Sequence, residues 1–163
     1  MKIENSRRRR GYTLIEILVA LTIIGLIFSF GYVSFREFSR RQALVGQVRS
    51  IQGDLRLAQG MALAGQKPDD ANCNSPNLLG GYYFRRISNT SYSIEADCTA
   101  GTSVIKSVNL PADITISSPS PNPILFKILG QGTNVSGSAT ITITQVSTGR
   151  TSVVTVTDGG EIK

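Results

Sequence analysis

The residues of this 163-residue chain that could do chemistry are few. There is no histidine, which removes Ser/His/Asp and Cys/His nucleophilic arrangements, histidine zinc ligands and the usual general base near neutral pH. Paired carboxylates occur twice. Asp69 and Asp70 lie in a loop-like run, KPDDANCNSPN, with no motif around them, and Glu95 and Asp97 share one face of an expected strand, which reads as a solvated face. Neither pair reads as an acid/base couple, and no loop alternates acidic ligands as a calcium site needs. Cys73 and Cys98 are not a CxxC pair, and two cysteines without histidine make a poor metal set. Arg85 and Arg86 beside Tyr82, Tyr83 and Phe84 suggest a platform for single-stranded nucleic acid. Strand alternation, however, places Tyr83, Arg85 and Ile87 on one face and Tyr82, Phe84 and Arg86 on the other, which splits the patch. These residues point to no enzyme, no metal and no cofactor.

One residue is out of place. Glu16 is the only charge in YTLIEILVALTIIGLIFSFGYVSF, residues 12–35, of which 17 are apolar. As a helix that segment would be about 36 Å long at about 1.5 Å per residue, enough for a hydrocarbon core of about 30 Å. It is also apolar on every face, unlike a soluble-core helix. A carboxylate inside such a span costs about 2.5–3.5 kcal/mol on insertion scales, so Glu16 either snorkels to the interface or has a function.

The formal charge of +6 is distributed unevenly. Residues 1–11 hold five basic residues against one acidic, residues 12–65 five against three, and residues 66–163 seven against seven. The basic excess therefore precedes the apolar run, which keeps the N-terminus cytoplasmic and exports the remainder. A cleaved secretory signal would show a small-x-small site directly after the run, but the nearest, Ala62-Leu63-Ala64, comes almost thirty residues later.

The Arg-rich leader, then Gly11-Tyr12-Thr13-Leu14-Ile15-Glu16, then an apolar helix, resembles the type III signal of type IV prepilins and type II secretion pseudopilins. The resemblance implies a cleavable leader over residues 1–11, cut by prepilin peptidase between Gly11 and Tyr12, with N-methylation of Tyr12, where the family more often has Phe. It implies that Glu16 serves assembly by pairing with the amine of a neighbouring subunit. A buried charge pair of this kind acts more as a register device than as net adhesion. The implied partners are other pilin or pseudopilin subunits, the peptidase, the inner-membrane assembly platform and, before assembly, the membrane itself.

These residues need an element to hold them. No proline precedes Pro68, so one helix is predicted from about Tyr12 to Gly65, membrane-spanning over 12–35 and amphipathic over 36–65. Leu44, Val48, Ile51, Leu55, Ala58 and Ala62 form a stripe at steps of four and three. Its length and its two alanines favour packing on the chain's own head over a coiled coil. Gly25, Gly31, Gly46, Gly53 and Gly60 each cost a free helix up to about 1 kcal/mol relative to Ala, and would let neighbouring stems approach closely.

From residue 66 the chain reads as a β-rich head, with strands predicted at 80–88, 91–97, 103–109, 113–117, 124–129, 138–146 and 150–157. Ala139, Ile141 and Ile143 alternate with Thr140, Thr142 and Thr144. The nearly continuous apolar run 124–129 reads as a central strand. Asn89-Thr90 and Ser147-Thr148-Gly149 read as hairpin turns, and Pro119, Pro121 and Pro123 as a loop. The predicted class is α+β: a long helix whose second half packs on an antiparallel sheet or sandwich. On the exported side a disulfide persists, and a Cys73–Cys98 bond would add about 3–3.5 kcal/mol in the chain-entropy model.

The strand-rich tail looks like the H-type minor pseudopilins and FimT-type minor pilins, some of which bind DNA through a C-terminal Gly-Arg-x-Arg motif. Here that place reads Gly160-Glu161-Ile162-Lys163, with a repelling Glu, so a nucleic-acid partner is not implied. A tip subunit that captures DNA or another ligand is the alternative to a structural one.

Overall fold

The computed structural model describes residues 11–163, and the backbone alone for residues 29–34. The leader expected over residues 1–11 therefore lies, apart from Gly11, outside the described residues. The chain is α+β: one helix, α1 (Leu14–Ala64), followed by strands β1 (Leu79–Ser88), β2 (Ser91–Cys98), β3 (Gly101–Asn109), β4 (Ile114–Ile116), β5 (Ile124–Lys127), β6 (Ser138–Gln145) and β7 (Thr151–Thr157). The chain divides into two compact units between Arg41 and Gln42, within α1.

In the first unit the described part of the helix from Leu14 to Phe28 is exposed all round. Its large apolar side chains from Leu14 to Phe28 are 48–85% exposed. The hydroxyl of Thr22 is satisfied internally, donating to the Val19 carbonyl at 2.8 Å, the usual way a polar side chain is carried in an apolar helix. Among the described residues no helix is long and apolar enough to cross a membrane. The span predicted over 12–35 includes residues 29–34, whose side chains lie outside them.

The second unit holds one hydrophobic core. Of the predicted stripe, Leu44, Ile51, Leu55, Ala58 and Ala62 are buried and Val48 packs partly against them, so the stripe is covered by the chain's own head. The helix stops at Gly65, whose positive φ of 58° suits glycine. Gly65 N–H donates to the Ala62 carbonyl and Gln66 N–H to the Met61 carbonyl, both at 3.1 Å, which closes a Schellman turn.

Two antiparallel sheets cover the stripe, in the orders β3-β2-β1-β5 and β4-β6-β7. Tyr82, Phe84, Tyr92 and Ile94 of the first and Ala139, Ile141, Ile143, Val154 and Val156 of the second face the core. Thr140, Thr142 and Thr144 face away, as the alternation predicts. The expected turns at Asn89-Thr90 and around Ser147-Thr148 join β1 to β2 and β6 to β7.

One strand is not where its composition put it. The run from Ile124 is the end strand of its sheet, not a central one, and its burial alternates. It also ends early, because Ile128–Gly130 is a 3-10 turn with Leu129 at φ 53°. Gly81 explains how β5 closes on β1: a Cβ there would lie 2.2 Å from the Phe126 carbonyl oxygen.

Below the apolar layer lies a polar clasp. Asp54, 6% exposed, accepts hydrogen bonds from the Tyr92 hydroxyl at 2.8 Å and from the Lys106 ammonium at 2.7 Å. Helix, β2 and β3 are thus tied at one carboxylate. Burial, with the adjoining Asp54 carboxylate, pushes the Tyr92 phenol well above its ordinary value of 10.0. The Cys73–Cys98 disulfide anchors the loop after the helix to the end of β2.

Two outcomes follow for a fragment beginning at Gln42. Asp54→Ala leaves a buried hydroxyl and an ammonium without their acceptor, and urea unfolding should show a loss of about 2–3 kcal/mol; a loss below about 0.5 kcal/mol would remove the clasp from the account. The second concerns pH. Tyr92 is harder to ionise folded than unfolded, so its contribution is complete below pH 10 and declines as pH rises beyond it, when the unfolded chain loses the proton first. Tyr92→Phe should flatten that alkaline decline; an unchanged slope would contradict the assignment.

Candidate functional site

The site begins where the helix begins. Gly11, Tyr12 and Thr13 are non-helical and exposed, and Tyr12 is 77% exposed. The scissile position expected from the motif thus lies in open backbone directly ahead of α1. Around Gly11, its chain neighbours aside, no atom of the described residues comes within 4 Å of where a Cβ would be.

Thr13 is the N-cap. Its hydroxyl oxygen accepts from Glu16 N–H at 3.3 Å, and its carbonyl accepts from Glu16 N–H at 3.1 Å and Ile17 N–H at 3.2 Å. Thr-x-x-Glu is also the spacing of a capping box. It sets Glu16 in the first helical turn, where the helix dipole favours a negative group. Among the described residues its carboxylate accepts no hydrogen bond that would commit it within the chain. A carboxylate four positions after an open Gly-Tyr bond, at a helix start, is an acceptor for a nearby amine.

The remaining candidates go elsewhere. Arg85 and Arg86 do lie on opposite faces. Arg85 pairs with Glu95 at 2.9 Å and stacks over Tyr83 at 5.5 Å, whereas Arg86 donates to the Ile116 carbonyl and brackets Asn122. Glu95, expected on a solvated face, is 7% exposed, because Arg85 and the Ser93 hydroxyl cover it. Asp97 on the same face is half-buried, and its contact raises the Tyr83 phenol alongside burial. Asp70 terminates its own loop turn, accepting from Asn72, Cys73 and Asn74. The terminal Gly160-Glu161-Ile162-Lys163 is laid along β7: Thr155 and Lys163 exchange both backbone hydrogen bonds, and Gln59 of the helix donates to the Gly160 carbonyl at 2.9 Å. A crevice beside it, bounded by Gln59, Leu63 and Lys127, holds only about 20 Å³, about one water.

Four of the five stem glycines are not needed by packing among the described residues. At Gly25, Gly46, Gly53 and Gly60 an added Cβ would meet nothing within 4 Å; Gly31 lies in the stretch described by its backbone alone. Sequence reasoning missed Thr13 as a structural partner of Glu16, although the Thr-x-x-Glu spacing was there to be read. It also missed Asp54, whose only local signal is an acidic residue beside an apolar stripe.

Residues 6–32 match the prokaryotic N-terminal methylation motif. That match supports the type IV pilin and pseudopilin family, whose members are structural proteins, and implies an N-terminus anchored in the inner membrane, processing by a peptidase and assembly with other pilins. No curated protein and no solved structure matches the chain.

Thr13→Ala should cost the helix start about 1 kcal/mol. In detergent micelles the Glu16 and Ile17 amides should then exchange hydrogen about fivefold faster, with Thr13→Ser close to the parent. Equal rates in parent and Ala variant would show that Thr13 is not the cap.

Proposed function

We propose that this chain is a prepilin, processed between Gly11 and Tyr12, methylated at Tyr12 and inserted as a minor subunit into a type IV pilus or type II secretion pseudopilus. The observation that carries the reading is the helix start. The methylation motif covers residues 6–32, and within it the Gly11-Tyr12 bond is exposed, Thr13 caps the helix and Glu16 follows in the first turn.

Cleavage would free a positive amine at Tyr12, and the Glu16 carboxylate of one subunit would pair with the amine of the next. In an apolar setting an unpaired member of such a pair is costly, so only the register that pairs both is populated. The open glycine positions along the stem fit the same purpose, since helices approach closely where Cβ atoms are missing. The head, with its core closed and its charges balanced, would be the displayed part. Its strand-rich tail favours an H-type or FimT-type minor subunit. A DNA-capturing role gains no support, because Arg85, Arg86 and the C-terminal tail are engaged within the fold.

Glu16→Val separates processing from assembly. The variant should be cleaved and exported like the parent, while its amount in sheared filaments falls by about tenfold or more, equivalent to about 1.4 kcal/mol per subunit. Parental incorporation would refute the role given to Glu16.

A further inference from the structure

The segment between the apolar run and the buried stripe has a composition that neither explains. Phe35-Arg36-Glu37-Phe38-Ser39-Arg40-Arg41 follows the charge-free stretch Ile17–Phe35. Phe35 is 69% exposed and Phe38 58%, so the chain itself covers neither ring. Phe38 stands among charged residues, outside any apolar run. Glu37 is bonded to Arg41 at 3.1 Å, and the segment keeps an excess of two positive charges, three arginines against one glutamate.

We propose that Phe35–Arg41 is an interfacial girdle that seats on anionic phospholipid headgroups, the rings at the acyl boundary and the guanidinium groups at the phosphates. The inference rests on α1 spanning the membrane and names the lipid that the span contacts. Three features carry it. On a helix Phe35 and Phe38 lie about 150° around from Arg36 and Arg40, so the segment presents an aromatic face and a basic face. That segregation is what a segment at a membrane interface shows, with its apolar face toward the acyl boundary and its basic face toward the headgroups. The rise from Phe35 to Arg40 is about 7.5 Å, close to the thickness of one interfacial layer. Glu16 and Arg36 are separated by twenty residues, about 30 Å of helix, which equals the hydrocarbon thickness.

The last coincidence has a consequence for the assembly site. With Arg36 held at one headgroup layer, Glu16 stands at the opposite one and keeps its hydration. The girdle sets the depth at which the carboxylate waits for a partner, and the chain carries it in the membrane without the full cost of burial. Arginine suits the position, because its stem can lie along the acyl boundary while its planar head meets phosphate oxygens in pairs.

The chain has no tryptophan, so Phe38→Trp provides a single indole reporter in the full-length protein, reconstituted in phosphatidylcholine vesicles with and without phosphatidylglycerol. With phosphatidylglycerol, the indole emission should shift to the blue and be quenched most by lipids brominated near the headgroup. Adding Arg36→Gln and Arg40→Gln, or raising the salt, should reduce both effects. Identical spectra in the two lipid mixtures and in the Gln variant would overturn the girdle. So would quenching that appears only at high protein-to-lipid ratio, which would show that a second copy covers Phe38. Alkaline carbonate extraction keeps the two layers of the argument apart: release of the chain would overturn the span and the girdle together, whereas retention with a water-exposed indole would overturn the girdle alone.

Discussion

Burial of one helical stripe governs the head. Leu44, Ile51, Leu55, Ala58 and Ala62 supply the surface on which both sheets close, and α1 is the only α-helix among the described residues. Each Leu or Ile moved from water there contributes about 1.5–3 kcal/mol when fully covered. Non-directional burial alone would tolerate sliding of the sheet along the helix. Asp54 removes that freedom, because one carboxylate must meet Tyr92 from β2 and Lys106 from β3 together, and a displaced pairing would strand a buried charge.

The N-terminal half of the same helix obeys the opposite rule. Its apolar residues face outward on all sides, and its polar groups are kept local, Thr22 on its own backbone and Glu16 at the capped start. One element thus carries two patterns of exposure. The change falls near Arg41, where the compact head unit begins. Proposed processing at Gly11 acts at the far end of this helix, on backbone that the helix leaves free.

The sequence was most informative where the interactions are local. Helix length followed from the missing prolines, the buried stripe from steps of four and three, and the β6-β7 hairpin from alternation of Ala139, Ile141 and Ile143 with threonines. The Gly11–Glu16 string was legible because its residues are adjacent in the chain. Contacts between distant positions were not. Tyr92 and Lys106 lie 38 and 52 positions from Asp54, and nothing in their neighbourhoods marks them as its partners. Glu95 was misread because its cover comes from Arg85 on the next strand. The run from Ile124 was misplaced because apolar content does not distinguish a central strand from an end strand whose outer edge is closed by the bridge between Phe126 and Thr133.

The account stands on the bond between Gly11 and Tyr12. Its most direct test is mass spectrometry of the intact N-terminus of the protein recovered from sheared surface filaments or the secretion apparatus. The expected result is a chain that starts at N-methylated Tyr12, with residues 1–11 absent. A chain that still begins at Met1, or one cut at any other position, would contradict it.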